Sequence, residues 1–313
     1  MRMHYDIEAD WLLLTTCNFR CSYCFFAPHE LGARVQRHGT PAQWEAGFNS
    51  TDKVWLIHIS GGEPSVHPDF LDLVERLSSR HYLSLNSNLA HRSIDELPSR
   101  IDPARVFFIN AALHPQQRRE RGSLDGFVER ARRLSSAGFR VLVSVLMTPA
   151  AVRALPQVAS HLRAQGISPI PKVLRGHFQG RRYPNAYTPD EKAVIREYVA
   201  RARHDYAAMM ATLGEAPTID VLSDDRFVDG KPNYWGRACE AGRRFVRIDP
   251  DGTVRRCGLK QPLGNLLARK LELLPKPMPC NTFYCPYFCE KYSTRIVERR
   301  AGDDESLAAL PWS

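Results

Sequence analysis

At 313 residues, with 43% hydrophobic and 25% charged side chains, the chain has the composition of an ordinary globular protein, with one large core and space for a small satellite. No apolar run approaches the ~20 residues of a membrane helix. The N-terminal Met1-Arg2-Met3-His4-Tyr5-Asp6 has no secretory segment, so the expected location is the cytoplasm. The net charge of +9 comes largely from arginine clusters such as Arg118-Arg119, Arg181-Arg182 and Arg243-Arg244. It fits a solvated surface or an anionic substrate; without a basic tail or an aromatic-basic RNA motif, nucleic acid is set aside as a partner.

Periodicity and punctuation predict alternating strands and helices. Strands are expected at 11–16, 54–60, 82–85, 105–111, 140–147 and 170–174. Helices are expected at 41–48, 69–80, 124–137 and 155–164, with a weaker one near 93–99. Such β/α repeats, each crossover long enough for a helix, imply a parallel sheet. Six units are too few for a closed eight-stranded barrel. The expected fold is therefore α/β, an open (β/α)6 partial barrel of the TIM type. Ligands of such sheets bind at the carboxyl ends of the strands. The linker at 177–187 precedes a long helix at about 189–213. Asp249-Pro250-Asp251-Gly252 between two short apolar runs then signals a hairpin. The expected domains are a core at 8–185, a linking helix at 186–229, a small cysteine-bearing domain at 230–295 and a tail at 296–313.

Eight cysteines without a signal peptide argue for metal or redox chemistry rather than disulfides. Cys17, Cys21 and Cys24 stand on one loop after the first strand, and the other five follow residue 238, so two sites are expected. Three thiolates can hold three corners of an iron–sulfur cubane and leave one iron open. A zinc site would need a fourth ligand, for which His29 is nearby. Gly61-Gly62-Glu63-Pro64 ends the second strand, Asn86-Ser87-Asn88 the third, Met147 the fifth, and Arg175 follows the sixth. All fall on the same rim as the cysteine loop. His114 ends the fourth strand there as well.

The Cys-x3-Cys-x2-Cys spacing, followed one β/α unit later by Gly61-Gly62-Glu63-Pro64, resembles the radical S-adenosylmethionine (SAM) superfamily. That resemblance implies a 4Fe–4S cluster on Cys17, Cys21 and Cys24, with SAM chelating the fourth iron and cleaved to a 5′-deoxyadenosyl radical. It implies Tyr23 beside the adenine, and Gly61, Gly62, Glu63 and Pro64 at the methionyl amine. Asn86, Asn88 and Ser144 would meet the ribose or carboxylate, Met147 the adenine, and Arg175 the SAM carboxylate or a substrate anion. An external electron donor of the flavodoxin or ferredoxin type is implied too. Cys239, Cys257, Cys280, Cys285 and Cys289, with Gly264-Asn265-Leu266, resemble the SPASM and twitch domains that carry auxiliary iron–sulfur clusters. Five cysteines suffice for one auxiliary 4Fe–4S cluster and a spare thiol, with Cys239, Cys257 and two of the last three as expected ligands. One of Cys280, Cys285 and Cys289 could then return a hydrogen atom to substrate, or the auxiliary cluster could take an electron from it. A zinc ribbon is the alternative for this segment.

The expected activity is hydrogen abstraction from a small polar metabolite, of sugar, aminoglycoside or nucleoside type, in natural-product biosynthesis. Oxidation, epimerisation and elimination all stay open. Two alternatives remain: a maturase of a ribosomal peptide or protein side chain, and a non-enzymatic zinc-binding scaffold. The early start of the first strand, which leaves no room for a leader-binding module, favours the small molecule at this point.

Overall fold

The computed structural model describes residues 3–31, 34–213, 222, 224–230, 234–257, 262–280 and 293–296. Six parallel strands lie side by side in chain order: β1 Ile7–Leu14, β2 Trp55–Gly61, β3 Tyr82–Ser87, β4 Val106–Leu113, β5 Val141–Met147 and β6 Pro169–Val173. The expected α/β class with a central parallel sheet is therefore present. Among the described residues, β6 ends the sheet on one side and β13 (Lys270–Leu271) on the other, so the sheet is open.

The crossover helices are α1 Pro41–Asn49, α2 Phe70–Ser78, α3 Leu97–Arg100, α4 Pro115–Glu120, α5 Leu124–Ser136 and α6 Pro149–Arg163; α7 Pro189–Ala211 follows β6. Three helices begin on Thr-Pro: Thr40, Thr148 and Thr188 each accept a backbone N–H through the side chain, and the proline stands at the first helical position. That pair satisfies an orphan donor and presets the helical φ. It also explains why α6 starts at Pro149 rather than near 155: proline after a strand opens a helix here as well as ending the strand.

Alternation along the strands separates two faces. Val141, Val143 and Val145 pack with Ile57, Ile59, Leu83 and Leu85 into the main core beneath the helices. On the other face, Leu56, Phe108, Leu142 and Ile170 form an apolar floor with Ala202 and Tyr206 of α7. Toward the carboxyl ends the same face turns polar. Buried His58 lies between Glu8 (Nε2–Oε2, 3.1 Å) and Ser84 (Nδ1–Oγ, 2.5 Å), and Tyr5 donates to Glu8. Ser60 donates to Asp10, and Asn86 and Asn110 stand above. The polarity gradient leads toward the cavity described below.

Several elements depart from the sequence expectation. β1 begins at Ile7, and β3 runs on to Ser87, so Asn86 and Ser87 are strand residues rather than a turn. The 177–187 linker holds a hairpin, β7 Gly176–Phe178 with β8 Arg181–Tyr183. The hairpin at Asp249–Gly252 forms as β10 Phe245–Ile248 and β11 Thr253–Arg255. β10 also pairs in parallel with β1, Asp10 opposite Arg247, and β11, β12 (Pro262–Asn265) and β13 continue outward. The main sheet therefore runs on through the hairpin strands. β9 Arg237–Cys239, β14 Met278–Pro279 and β15 Ser293–Ile296 make a separate three-stranded sheet. Cys285, Cys289 and residues 297–313 lie outside the described residues. Among those described, no helix is long and apolar enough to cross a membrane.

His81, at the start of β3, is buried, and its Nδ1 accepts the Trp55 backbone N–H at 3.3 Å. Burial, helped by the neighbouring Arg80 charge, holds its pKa down to about 4. Between that value and the ordinary ~6.5 the unfolded chain binds the proton and the folded one does not, so stability falls as pH drops through this window. The loss expected from His81 is up to about 3 kcal/mol. Urea unfolding from pH 7 to pH 4.5 checks it: the slope should flatten in His81→Phe.

Candidate active site at the carboxyl ends of the strands

A cavity of about 730 Å³ opens at the carboxyl ends of β1–β6. Cys17, Cys21, Cys24, Tyr23, Gly61, Gly62, Glu63, Asn86, Asn88, Ser144 and Arg175 all line it. Met147 and Pro64 do not. Met147 is fully buried, and its carbonyl accepts the Tyr187 hydroxyl, so it is not available to face an adenine. Pro64 is buried at the first position of a 3-10 turn, shaping the chain behind the wall.

The cysteine loop is held chiefly by its neighbours, with Phe19 N–H also meeting Cys17 Sγ at 3.3 Å. Phe19 is buried and plugs the loop against the edge of His114, beneath the guanidinium groups of Arg118 (5.1 Å to the ring centre) and Arg121 (4.8 Å). The Arg20 side chain donates to the carbonyls of Cys17, Phe19 and Leu31, and its backbone N–H donates to Gln117. Asn88 Nδ2 donates to Asn18 Oδ1 at 2.7 Å, and Arg118 donates to the Asn88 carbonyl. The loop is thus fixed from β3 and α4 before any ligand enters.

The two glycines have a more specific task than allowing a ligand close. Gly62 N–H donates to the Leu14 carbonyl, and Glu63 N–H to that of Thr16. A Cβ on Gly61 would lie 2.4 Å from Leu14 O, and one on Gly62 2.3 Å from both Thr15 O and Thr16 O. Gly61 also has φ +151°. The pair lets the end of β2 press against the root of the cysteine loop.

Glu63 is buried, and its carboxylate accepts from Ser65 N–H (3.1 Å), Ser65 Oγ (2.5 Å), Ser87 Oγ (2.7 Å) and Asn88 N–H (2.6 Å). Burial nevertheless pushes its pKa up. Three of these donors meet Oε1 and one, Asn88 N–H, meets Oε2, so the carboxylate staples the ends of β2 and β3 while Oε2 keeps room for one further donor. Asn88 is likewise committed: Nδ2 to Asn18, Oδ1 to Ala90 N–H.

The open polar groups lie elsewhere. Asn110 Nδ2 donates to Asn86 Oδ1 at 2.8 Å, and Asn110 Oδ1 is buried with no partner among the described residues. The pair therefore lacks one donor, which a ligand can supply. Asn110 and Lys172 were not singled out from sequence, although strand alternation with the register Asn86–Asn110 and Leu146–Lys172 would have placed both on the inner face. Lys172, Arg175 and His177 line the β6 side of the cavity, with Arg175 packed 3.9 Å over the Phe227 ring. Phe25, also in the lining, is 87% exposed and touches Phe26 edge-on.

Cys17, Cys21 and Cys24 are free thiols. Burial, with neighbouring thiols adding to it, pushes Cys17 up to about 11 and raises Cys21. Without a cation the loop keeps these two protonated, and a bound metal is what would convert them to thiolates. Three thiols on one loop, lining the same cavity as an unsatisfied polar pair, suit a cluster with an organic ligand on its open iron. Farther along the chain, Cys239, Cys257 and Cys280 pack with Tyr234, Ala241 and Phe245 in a small apolar cluster. Among the described residues, no three His, Cys, Asp or Glu side chains form a group able to hold a single metal ion.

Residues 11–150 match the family model of the radical SAM superfamily. That stretch, which holds the cysteine loop and Gly61-Gly62-Glu63-Pro64, is similar to a radical SAM domain. It is 25% identical over 285 residues to a probable GTP 3′,8-cyclase of Methanopyrus kandleri, covering 85% of this chain and 82% of the relative. It is 26% identical over 262 residues to the mycofactocin maturase MftC of Mycobacterium tuberculosis, covering 79% of this chain and 63% of that one. In structure it resembles Streptococcus suis SuiB bound to its precursor peptide SuiA (TM-score 0.54, 14% identity, 86% of this chain and 65% of that one). It also resembles anSMEcpe with bound AdoMet (TM-score 0.55, 14% identity, 83% and 78%). The chain thus spans a little under two thirds of MftC and of SuiB. The structural likenesses, at 14% identity, show the fold alone. The SPASM/twitch reading of the C-terminal segment has no counterpart in these findings.

Proposed function

We propose that the chain is a radical SAM enzyme that modifies a peptide. The observation that carries the first half is the single cavity joining the cysteine loop to the ends of β2–β6. When bound, a 4Fe–4S cluster on Cys17, Cys21 and Cys24 together with SAM would supply a 5′-deoxyadenosyl radical. This chain's residues would do the rest. Gly61 and Gly62 set the loop against β2, and Asn86 with Asn110 would bind a hydroxyl or ammonium of SAM. Ser144 would stand beside them. Lys172 or Arg175 would neutralise a carboxylate, of SAM or of substrate.

The peptide half replaces the small metabolite expected from sequence. MftC is a maturase and SuiB was solved with its precursor peptide, which supports a peptide over a sugar or aminoglycoside. An open cavity mouth with Phe25 exposed beside Cys24 suits an apolar side chain delivered on a backbone. A nucleotide is the second reading, favoured by Lys172, Arg175 and His177 on the β6 wall and by the resemblance to the GTP cyclase. For the C-terminal segment we propose an auxiliary cluster involving Cys239, Cys257 and Cys280, which already share one apolar cluster.

The reconstituted, reduced protein, given SAM and either a deuterated peptide library or deuterated GTP, tests the substrate. Deuterium should appear in 5′-deoxyadenosine with a peptide. Transfer from GTP would support the second reading, and transfer from neither would remove both.

A further inference from the structure

The β7–β8 hairpin stands beyond the carboxyl end of β6 and carries the Arg181-Arg182 pair, which the SAM chemistry above does not use. Gln179 (φ +49°) and Gly180 (φ +72°) form its two-residue turn, a left-handed pair that fits the twist of a tight hairpin. Alternation gives the hairpin two faces. On one, Gly176 opposes Tyr183 and Phe178 opposes Arg181; on the other, His177 opposes Arg182. Buried Tyr183 anchors the first face, its ring 6.5 Å from Phe178 and 4.8 Å from Tyr187. His177 lines the cavity, so Arg182, directly across the ladder from it, stands at the cavity mouth. Arg181 and Arg182 are both exposed.

Charge on this flank of the rim has one sign. From Arg130 to Pro189 the chain contains no Asp or Glu, and that stretch supplies β5, α6, β6 and the hairpin. Elsewhere surface arginines meet carboxylates: Arg76 meets Glu45, Arg100 meets Asp72 and Glu75, and Arg203 meets Asp225. Arg181 and Arg182, with Arg153 near the start of α6, have no such partner among the described residues. Like charges left uncompensated raise the local potential and draw an anionic partner toward the site. We propose that the β7–β8 hairpin is the docking surface for an acidic stretch of the substrate peptide, with Arg181 and Arg182 pairing with its carboxylates at the mouth of the cavity. The inference rests on the peptide reading above and adds the charge of the peptide and the place that holds it. Exposed ion pairs are individually weak and screened by salt, so the grip suits a substrate that must leave after reaction. Bases of a single-stranded nucleic acid would need exposed aromatic faces to stack on, and the hairpin turns Tyr183 into the core, which favours a peptide.

Fluorescence anisotropy of the full chain is measured with three labelled probes: a peptide alternating Glu and Ser, its Gln-Ser counterpart, and an RNA oligomer of the same charge. The Glu peptide should bind, more weakly as salt rises, and the Gln peptide should bind roughly tenfold more weakly. Arg181→Ser with Arg182→Ser should weaken the Glu peptide roughly fivefold, and Arg181→Lys with Arg182→Lys, which keeps the charge, should not. Removing equal charge at the amino ends of the strands, with Lys53→Ser and Arg132→Ser, should leave binding unchanged. Should the double serine variant fail to fold, Arg182→Gln alone decides, with an expected loss of about twofold. Equal binding of the Glu peptide by wild type and the serine variant, or tighter binding of the RNA than of the Glu peptide, overturns the proposal. The peptide reading fails separately: a protein that holds the Glu peptide through Arg181 and Arg182 yet transfers deuterium from no peptide would sink that reading while the charge-dependent docking stands.

Discussion

Reductive cleavage of SAM is expected to fall to the uncatalysed level when Cys17, Cys21 and Cys24 are all replaced by alanine. Enzymes accelerate reactions by roughly a millionfold or more, so loss of the redox group should take the rate below detection. The fold should survive, because the loop is fixed chiefly by Phe19, Asn18 and Arg20 against α4 and β3. Quantifying 5′-deoxyadenosine by mass spectrometry, with thermal unfolding alongside, separates the two effects. Substantial cleavage by the triple variant would show that another group binds and reduces SAM.

Glu63→Ala should be the most damaging single change on the rim. It strands Ser65 N–H, Ser65 Oγ, Ser87 Oγ and Asn88 N–H in a buried place. Each unsatisfied buried group costs about 1–3 kcal/mol, and partial relaxation leaves an expected total of about 3–5 kcal/mol. Glu63→Gln retains one acceptor oxygen and removes a buried charge, so it should lose less than half as much. Denaturant unfolding of the two variants measures this. Equal losses would mean that the carboxylate charge matters rather than its hydrogen bonds. The same comparison bears on the ligand: if Glu63 is a staple, SAM affinity in Glu63→Gln should stay within a few-fold of wild type.

The parallel sheet and the rim were legible because both depend on local pattern. Apolar runs ending in Cys17, Gly61 and Asn86 mark strand ends whatever the packing, and every cavity-lining cysteine came from spacing alone. What escaped depended on partners distant in sequence. Glu63 reads as an open acceptor until Ser65, Ser87 and Asn88 are seen to occupy most of it. Asn110 and Lys172 look like ordinary strand polars until the register aligns them with Asn86 and Leu146. Arg118 reads as surface charge, yet it is buried over Phe19 and Phe127. β10 pairing in parallel with β1 is a contact between residues more than 200 positions apart, which no local turn signal encodes. The substrate class was read from overall charge and chain length, neither of which has any geometric tie to the cavity.

The most direct measurement is the low-temperature EPR spectrum of the reduced, iron-reconstituted protein before and after SAM is added. A 4Fe–4S signal that changes with SAM, with 5′-deoxyadenosine accumulating in the same sample, is the predicted result. A protein that takes up zinc in preference to iron, or an iron–sulfur signal indifferent to SAM, would contradict the assignment of Cys17, Cys21 and Cys24.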